Sequence, residues 1–239
     1  MESIKAQKGM GMEGVVAKWY AATTRNAIGE FKALARRVAE ISPGPEVLEV
    51  APGPGYFAIE LAKLGGFRVT GVDISKTFVQ IARKNAAKAG VSVEFQNGNA
   101  AAVPFPADRF DFILCRAAFK NFAEPVRALS EMYRVLRPAG EALIIDLRRD
   151  ASQTEINQAV DQMELSSLNR TMNKLIFRFM LLKRAYTKAE FRELVAQTPF
   201  QRAGIIKSSI ALEVSLRKQS SLDTALPQEL HASPGVSAR

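Results

Sequence analysis

The stretch from Glu46 to Asp73 constrains this chain more than any other, because it reads as strand, glycine turn, helix and strand, closed by an acid. Val47-Leu48-Glu49-Val50 is a short apolar run bounded by Pro45 and by Ala51-Pro52-Gly53-Pro54-Gly55, the pattern of a buried strand that stops at a sharp turn. Tyr56 to Leu64 then places Phe57, Leu61 and Leu64 at helical spacing, Gly65-Gly66 ends the helix, and Arg68 to Val72 is a second strand running into Asp73. Crossovers of this kind are right-handed and bring the turn and the acid to the same carboxyl edge of a parallel sheet. A nucleoside-like ligand can lie across both.

Two readings of the turn compete. From Gly53, the residues Gly53-Pro54-Gly55-Tyr56-Phe57-Ala58 fit a dinucleotide pattern of two glycines followed by a glycine or alanine, with an acid roughly 20 residues on for a ribose. From Glu49, the same residues are an acid, a spacer, then Ala51, Gly53 and Gly55 at every second position. This second pattern resembles the first motif of class I methyltransferases that use S-adenosylmethionine. An acid at a strand end needs a cationic or hydrogen-bonding partner, which an amino acid's ammonium group supplies and a pyrophosphate does not.

The remaining chain is long enough, at 239 residues and 47% hydrophobic, to bury a full core as a single domain with an insertion. Its one cysteine, Cys115, excludes an internal disulfide framework, and with no basic-then-apolar leader in view a reducing cytoplasm is the expected location. The longest apolar run, Leu175 to Leu182, is broken by Arg178 and is too short to span a bilayer. The net charge of +9 raises nucleic acid and acidic membranes as partners, but the Lys and Arg are spread over several helices without interleaved aromatics, so a solvated basic surface is favoured.

Taken in order, residues 1 to 12 lack periodicity, and Glu13 to Ile41 forms a helical cap in which Val15, Val16, Trp19 and Tyr20 make an apolar stripe. After the opening βαβ unit, Ser75 caps a helix ended by Gly90, and Val91 to Phe95 is a third strand leading to Gly98-Asn99-Ala100 and Val103-Pro104-Phe105. Phe110 to Cys115 is the fourth strand, delivering Arg116 to Asn121 at the switch point where open α/β sheets bind ligands. Pro125 opens a helix through Leu136, Pro138-Ala139-Gly140 is a turn, and Glu141 to Leu147 is the fifth strand. Residues 148–186 are a helical insertion, amphipathic over Thr154 to Asn169 and richly apolar over Met172 to Leu182. Thr187 and Glu190 form a capping box, strands follow near Gly204 to Ser208 and Ile210 to Arg217, and residues 218–239 read as a disordered tail.

From Val47 to Leu147 the order of motifs resembles class I methyltransferases, especially the small-molecule branch akin to ubiquinone and menaquinone C-methyltransferases. The "VLRPAG" turn into "ALIIDL" is similar to the family's turn of leucine, a basic residue, proline and two glycines. The resemblance implies an α/β fold: a Rossmann-like, seven-stranded, mostly parallel sheet of order 3-2-1-4-5-7-6, with helices on both faces. It implies S-adenosylmethionine as cofactor and no metal. Glu49 and the backbone of Ala51, Gly53 and Gly55 would hold the methionine end, and Asp73 would take both ribose hydroxyls. Ile74 would pack on the adenine, Asn99 and Ala100 would fix its edge, Tyr20 would cover the cofactor from the cap, and Arg116 completes the set. Asn99 stands where the family has aspartate, leaving a carbonyl to accept from the adenine amino group. Ala51 stands where the family has glycine, which presumes a backbone there without positive φ.

The sulfonium is already an activated methyl donor, so such a protein mainly binds it, expels water and aligns an acceptor for in-line displacement. The one histidine, His231, falls in the expected tail, which excludes a histidine base in the core. Lys120, Asn121 and Asp146 are the candidate catalytic groups, with Arg148 and Asp150 beside them at strand ends, and Arg116, Lys120 or Arg148 could hold an anionic acceptor. The expected activity is methyl transfer to an apolar or anionic small molecule. An RNA or protein methyltransferase, and a non-catalytic cofactor-binding scaffold, are the alternatives. The apolar side of the insertion calls for a greasy acceptor, a second subunit giving a homodimer, or the sheet's own helices, with a peripheral membrane contact as a further option.

Overall fold

The computed structural model describes residues 12–161 and 182–220. Its sheet has seven strands: β1 (Glu46–Val50), β2 (Arg68–Asp73), β3 (Glu94–Asn97), β4 (Phe110–Arg116), β5 (Leu136–Leu147), β6 (Gly204–Ser208) and β7 (Ala211–Arg217). They lie in the expected order β3-β2-β1-β4-β5-β7-β6. β1 to β5 run parallel, and β7 is antiparallel to both β5 and β6. The helices are α1 (Gly14–Thr24), α2 (Ile28–Ile41), α3 (Tyr56–Lys63), α4 (Lys76–Ala89), α5 (Pro125–Val135), α6 (Gln153–Asp161) and α7 (Lys188–Ala196).

Alternation along the central strands sorts their side chains between two cores. Val47 of β1 and Phe112 and Leu114 of β4 pack with α2, α3 and α4 through Val38, Phe57, Leu61 and Ala82. Leu48 and Val50 of β1 and Ile113 and Cys115 of β4 point the other way, against Leu129 and Met132 of α5 and Phe191 of α7. Both faces of the centre are therefore covered, as a parallel sheet requires. Each fully buried Leu or Phe contributes about 1.5–3 kcal/mol.

Local signals set the helix ends. The Ser75 hydroxyl accepts from the Phe78 N–H, and Gly90 closes α4 at φ 69°. Thr187 and Glu190 form the reciprocal capping box of α7.

Several boundaries differ from the sequence reading. The third strand begins at Glu94, not Val91, because the Val91 N–H bonds back to Ala86 O and finishes α4 before pairing with β2 starts at Thr70. Pro138-Ala139-Gly140 is no turn between elements. β5 already pairs through Leu136 with Phe110, then advances five positions to Glu141 while β4 advances two to Phe112, so the intervening residues bulge. Ala139 takes φ 66°, and the bulge is held by Lys218, whose backbone exchanges hydrogen bonds with Ala139 and Gly140. The Lys218 ammonium also reaches Asp108 and the carbonyls of Tyr133 and Leu136, so the chain is still engaged one residue past the boundary at 217.

Among the described residues the apolar stripe of α1 packs through Tyr20, against Phe78, and not through its other members. Ala17 and Ala21 are the buried residues, while Val15, Val16 and Trp19 are exposed, because α1 approaches α4 through its small side chains. Within the insertion, α6 covers the first half of the expected amphipathic stretch through Ile156 and Val160. Of the apolar run expected over Met172 to Leu182, Leu182 is described and buried and the rest lies outside the described residues, as does the tail beyond Ser220.

Candidate functional site

The site sits where β1, β2 and β4 end. Strand alternation puts Glu49 on the same face as Val47, under the start of α3, where its carboxylate accepts a hydrogen bond from the Ala58 N–H at 3.2 Å. Glu49 is 4% exposed and forms no ion pair among the described residues. Burial drives its carboxyl up to about 8, opposed by the Ala58 N–H and the Arg116 charge and reinforced by Asp73. This is a carboxyl group without a counter-ion, at the mouth of a glycine turn.

Asp73, 5% exposed at the end of β2, is aimed back at that turn. Its Oδ2 accepts from the Gly53 N–H at 3.0 Å and its Oδ1 from the Ser75 N–H at 2.9 Å. Burial raises it to about 6 despite both donors. Each oxygen keeps acceptor capacity beyond its one N–H. Asn97 holds the neighbouring backbone by donating to the carbonyls of Asp73 and Ile74. Ile74 itself is 38% exposed next to the turn, an apolar side chain left without cover.

Three residues of the turn are left-handed: Ala51 at φ 57°, Gly53 at φ 54° and Gly55 at φ 78°. Gly55 tolerates no side chain, since a Cβ there would lie 2.7 Å from the Phe95 ring. Gly53 faces open space instead. Ala51 corrects the sequence expectation: its φ is positive where β1 enters the turn, while its N–H still donates to Val72 O at 2.8 Å. An alanine there bears a left-handed penalty of about 1–2 kcal/mol that glycine would not.

The segment after β3 closes a short turn on itself. The Asn99 carbonyl accepts from the Ala101 N–H at 2.9 Å, so this oxygen already serves its own turn. Ala100 is half-buried beside it. The turn is anchored from α5: Glu131 accepts from the Val103 N–H, and Arg134 donates to the carbonyls of Val103 and Phe105. A Glu and an Arg three apart on a helix suggest a pair to each other, and nothing local says that they clamp a loop.

The remaining candidates separate into two groups. Tyr20 and Arg116 stand at the cleft. The Tyr20 ring meets Phe78 edge-on at 5.8 Å, and its hydroxyl pKa is raised by burial, with Arg116 opposing and Asp146 and Asp73 adding to the shift. Arg116 donates to Glu30 at 2.6 Å and lies 4.6 Å over the Phe31 ring, fastening the end of β4 to α2. Lys120 and Asp146 instead engage each other. The Lys120 ammonium donates to Asp146 Oδ1 at 2.9 Å and to Ala117 O at 2.5 Å, and the Lys120 N–H donates to Asp146 Oδ2 at 2.8 Å. Asn121 is half-buried, and its N–H bonds to Ala118 O. Arg148, considered as an anion holder, is spent within the fold: its guanidinium donates to Ser209 O, to Asp150 and to Glu155.

Sequence reasoning missed how the cap is attached. Glu13 accepts from the N–H groups of Lys76 and Thr77 and from the Thr77 hydroxyl, placing a carboxylate on the N-terminus of α4. The Tyr56 hydroxyl donates to Ala21 O at 2.8 Å from α3. Glu13 and Thr77 are 64 positions apart, so no local pattern announces them.

Comparison with known proteins agrees with this arrangement. Residues 48–144 match the family model described as a methyltransferase domain. A demethylmenaquinone methyltransferase of Deinococcus radiodurans is 36% identical over 107 residues, covering 44% of each chain. A ubiquinone/menaquinone biosynthesis C-methyltransferase of Marinomonas sp. is 33% identical over 140 residues, covering 57% of this chain and 55% of that one. The chain spans about half the length of the curated relatives it matches. In fold, a crystal structure from Methanococcus maripaludis, assigned as an S-adenosyl-L-methionine-dependent methyltransferase, superposes with a TM-score of 0.72 at 17% identity, covering 90% of this chain and 97% of that one. Residues 48–144 are therefore similar in sequence to a methyltransferase domain, and the seven-stranded sheet shares its fold with the solved methyltransferase structure.

Proposed function

We propose that this protein transfers the methyl group of S-adenosylmethionine to a small apolar or anionic acceptor. The observation that carries the reading is the pair of buried carboxyl groups, Glu49 and Asp73, on adjacent strands either side of a left-handed turn. Glu49 lacks a counter-ion among the described residues, and an α-ammonium group would supply one. Asp73 holds both oxygens at the turn through backbone N–H groups, with acceptor capacity left for a vicinal diol. Exposed Ile74 offers an apolar surface to a flat base next to that diol. A ligand with ammonium, ribose and base in that order fits these residues, and a dinucleotide's pyrophosphate would meet the Glu49 carboxyl instead.

When bound, the cofactor supplies a methyl group on a sulfonium, ready for displacement. The protein's part is to bind, orient and exclude water. Tyr20 covers the cleft from α1, and Arg116, fixed by Glu30 and Phe31, places a cation near Glu49 and Tyr20. Lys120 and Asp146 hold the loop after β4 in position and need not move a proton. The basic groups at this edge are largely consumed in internal pairs, Arg116 with Glu30, Lys120 with Asp146 and Arg148 with Asp150, which favours a small acceptor over a polymer.

Calorimetric titration with S-adenosylhomocysteine, with NAD as control, tests the reading. Micromolar binding of the former that weakens by about 2–3 kcal/mol in Asp73→Ala is expected, since charge-assisted hydrogen bonds are lost. Binding of NAD alone, or affinity unchanged in Asp73→Ala, would overturn it.

A further inference from the structure

The outward side of α1 is apolar where a solvent-facing helix should be polar. Val15 is 81% exposed and Trp19 is 61% exposed, one helical turn apart, and Val16 and Ala22 flank them on the same side. The opposite side of the helix carries Ala17 and Ala21 inward, so among the described residues the packing of α1 leaves Val15, Val16 and Trp19 unused. Attachment of the helix is also independent of them: it rests on Glu13 at the start of α4 and on the Tyr56 hydroxyl at Ala21.

The charges around this face have one sign. Lys18 lies on α1 and Arg25 follows it; both are exposed and form no ion pair with a described residue. The acid that precedes α1, Glu13, is taken up by the start of α4. An apolar strip centred on a tryptophan and bordered by unpaired Lys and Arg is the pattern of a helix lying in the plane of a bilayer interface, its indole at the headgroup level. Nucleic acid would meet the charges but leave Val15 and Val16 in water.

We propose that α1 docks the protein on anionic lipid bilayers through Val15, Val16 and Trp19, with Lys18 and Arg25 meeting lipid phosphates. The inference rests on this face alone and not on the methyl-transfer reading. Its consequence for the cleft is positional: the helix that carries Tyr20 on its cofactor side carries the bilayer contact on its other side.

Trp19 is the only tryptophan in the chain, so its emission reports on this face directly. The full-length protein should co-sediment with vesicles containing phosphatidylglycerol, with a blue shift of Trp19 emission and quenching by bromine-labelled acyl chains. Pure phosphatidylcholine vesicles and high salt should each weaken the binding by at least tenfold. Val15→Glu, at a position open to solvent, and Lys18→Glu with Arg25→Glu should each reduce vesicle binding at least tenfold while leaving the circular dichroism and melting temperature unchanged. No shift and no sedimentation with either vesicle would overturn the proposal, as would full binding by Val15→Glu. A shift that appears on raising protein concentration without lipid would assign the face to a second copy of the chain. A shift with single-stranded RNA but not vesicles would assign it to nucleic acid.

Discussion

The Lys120 ammonium lies 2.9 Å from Asp146 Oδ1, with both side chains buried beneath the loop that follows β4. Asp146 also accepts from the backbone N–H groups of Lys120 and Leu147, so one carboxylate ties the end of β5 to the loop at the switch point of the sheet. Two groups offered by sequence position as catalytic candidates are thus paired with each other. Removing one partner of a buried pair leaves the other charge uncompensated, at a cost of about 3 kcal/mol or more. Lys120→Met should therefore lose about 3 kcal/mol in urea unfolding at pH 7. With Asp146→Asn added, the total should fall short of the sum by about 1–3 kcal/mol, as expected for groups in direct contact. Additive losses would show that the pair is not coupled.

Glu49 and Asp73 make stability depend on pH in an unusual direction. Their folded-state values, about 8 and about 6, lie above those of free carboxyl groups, so between roughly pH 5 and 8 the native state holds more protons than the unfolded one. Stability contributed by the neutral forms is present at low pH in that window and is lost as pH rises through 6 and then 8. Glu49→Gln should flatten the upper part of this slope in denaturant titrations. A slope unchanged by Glu49→Gln would place the titration elsewhere.

The same carboxyl group predicts a proton count on binding. An ammonium group set against Glu49 favours its ionised form, so S-adenosylhomocysteine binding at pH 7 should release protons from this site. Calorimetry in two buffers of different ionisation heat would read that release, and Glu49→Gln should abolish its share.

Ala51 takes a left-handed backbone conformation at φ 57°. Glycine would relieve about 1–2 kcal/mol of that strain and return part of it through a more flexible unfolded chain. Ala51→Gly should therefore gain about 0.5–1 kcal/mol, read as a higher denaturation midpoint. A loss would mean that the Ala51 methyl group packs productively.

Gly55→Ala should act in the opposite sense. Its φ of 78° strains any side chain, and the new Cβ would press on the buried Phe95 ring. A loss of about 3 kcal/mol, combining strain with overpacking, should appear in thermal or urea unfolding.

What the sequence alone determined was whatever is local in cause. Apolar runs and their alternation located β1, β2 and β4. Ser75, Gly90 and the Thr187–Glu190 box placed helix ends, and the glycines between Ala51 and Gly55 marked the turn, because each depends on neighbours a few positions away. Glu49 and Asp73 could be singled out for the same reason: an acid ending an apolar strand is visible without knowing what surrounds it. Only the tertiary structure decided which polar groups pair with one another. Lys120 meets Asp146 across 26 positions, Arg116 meets Glu30 across 86, and Glu13 reaches Thr77 across 64. The outward turn of Val15 and Trp19 is of the same kind, since helical spacing defines a face but the packing partner selects which face is buried. Ala51 joins both lists, its residue type plain from the chain and its positive φ visible only in the folded turn, where its N–H donates to Val72 on the adjacent strand.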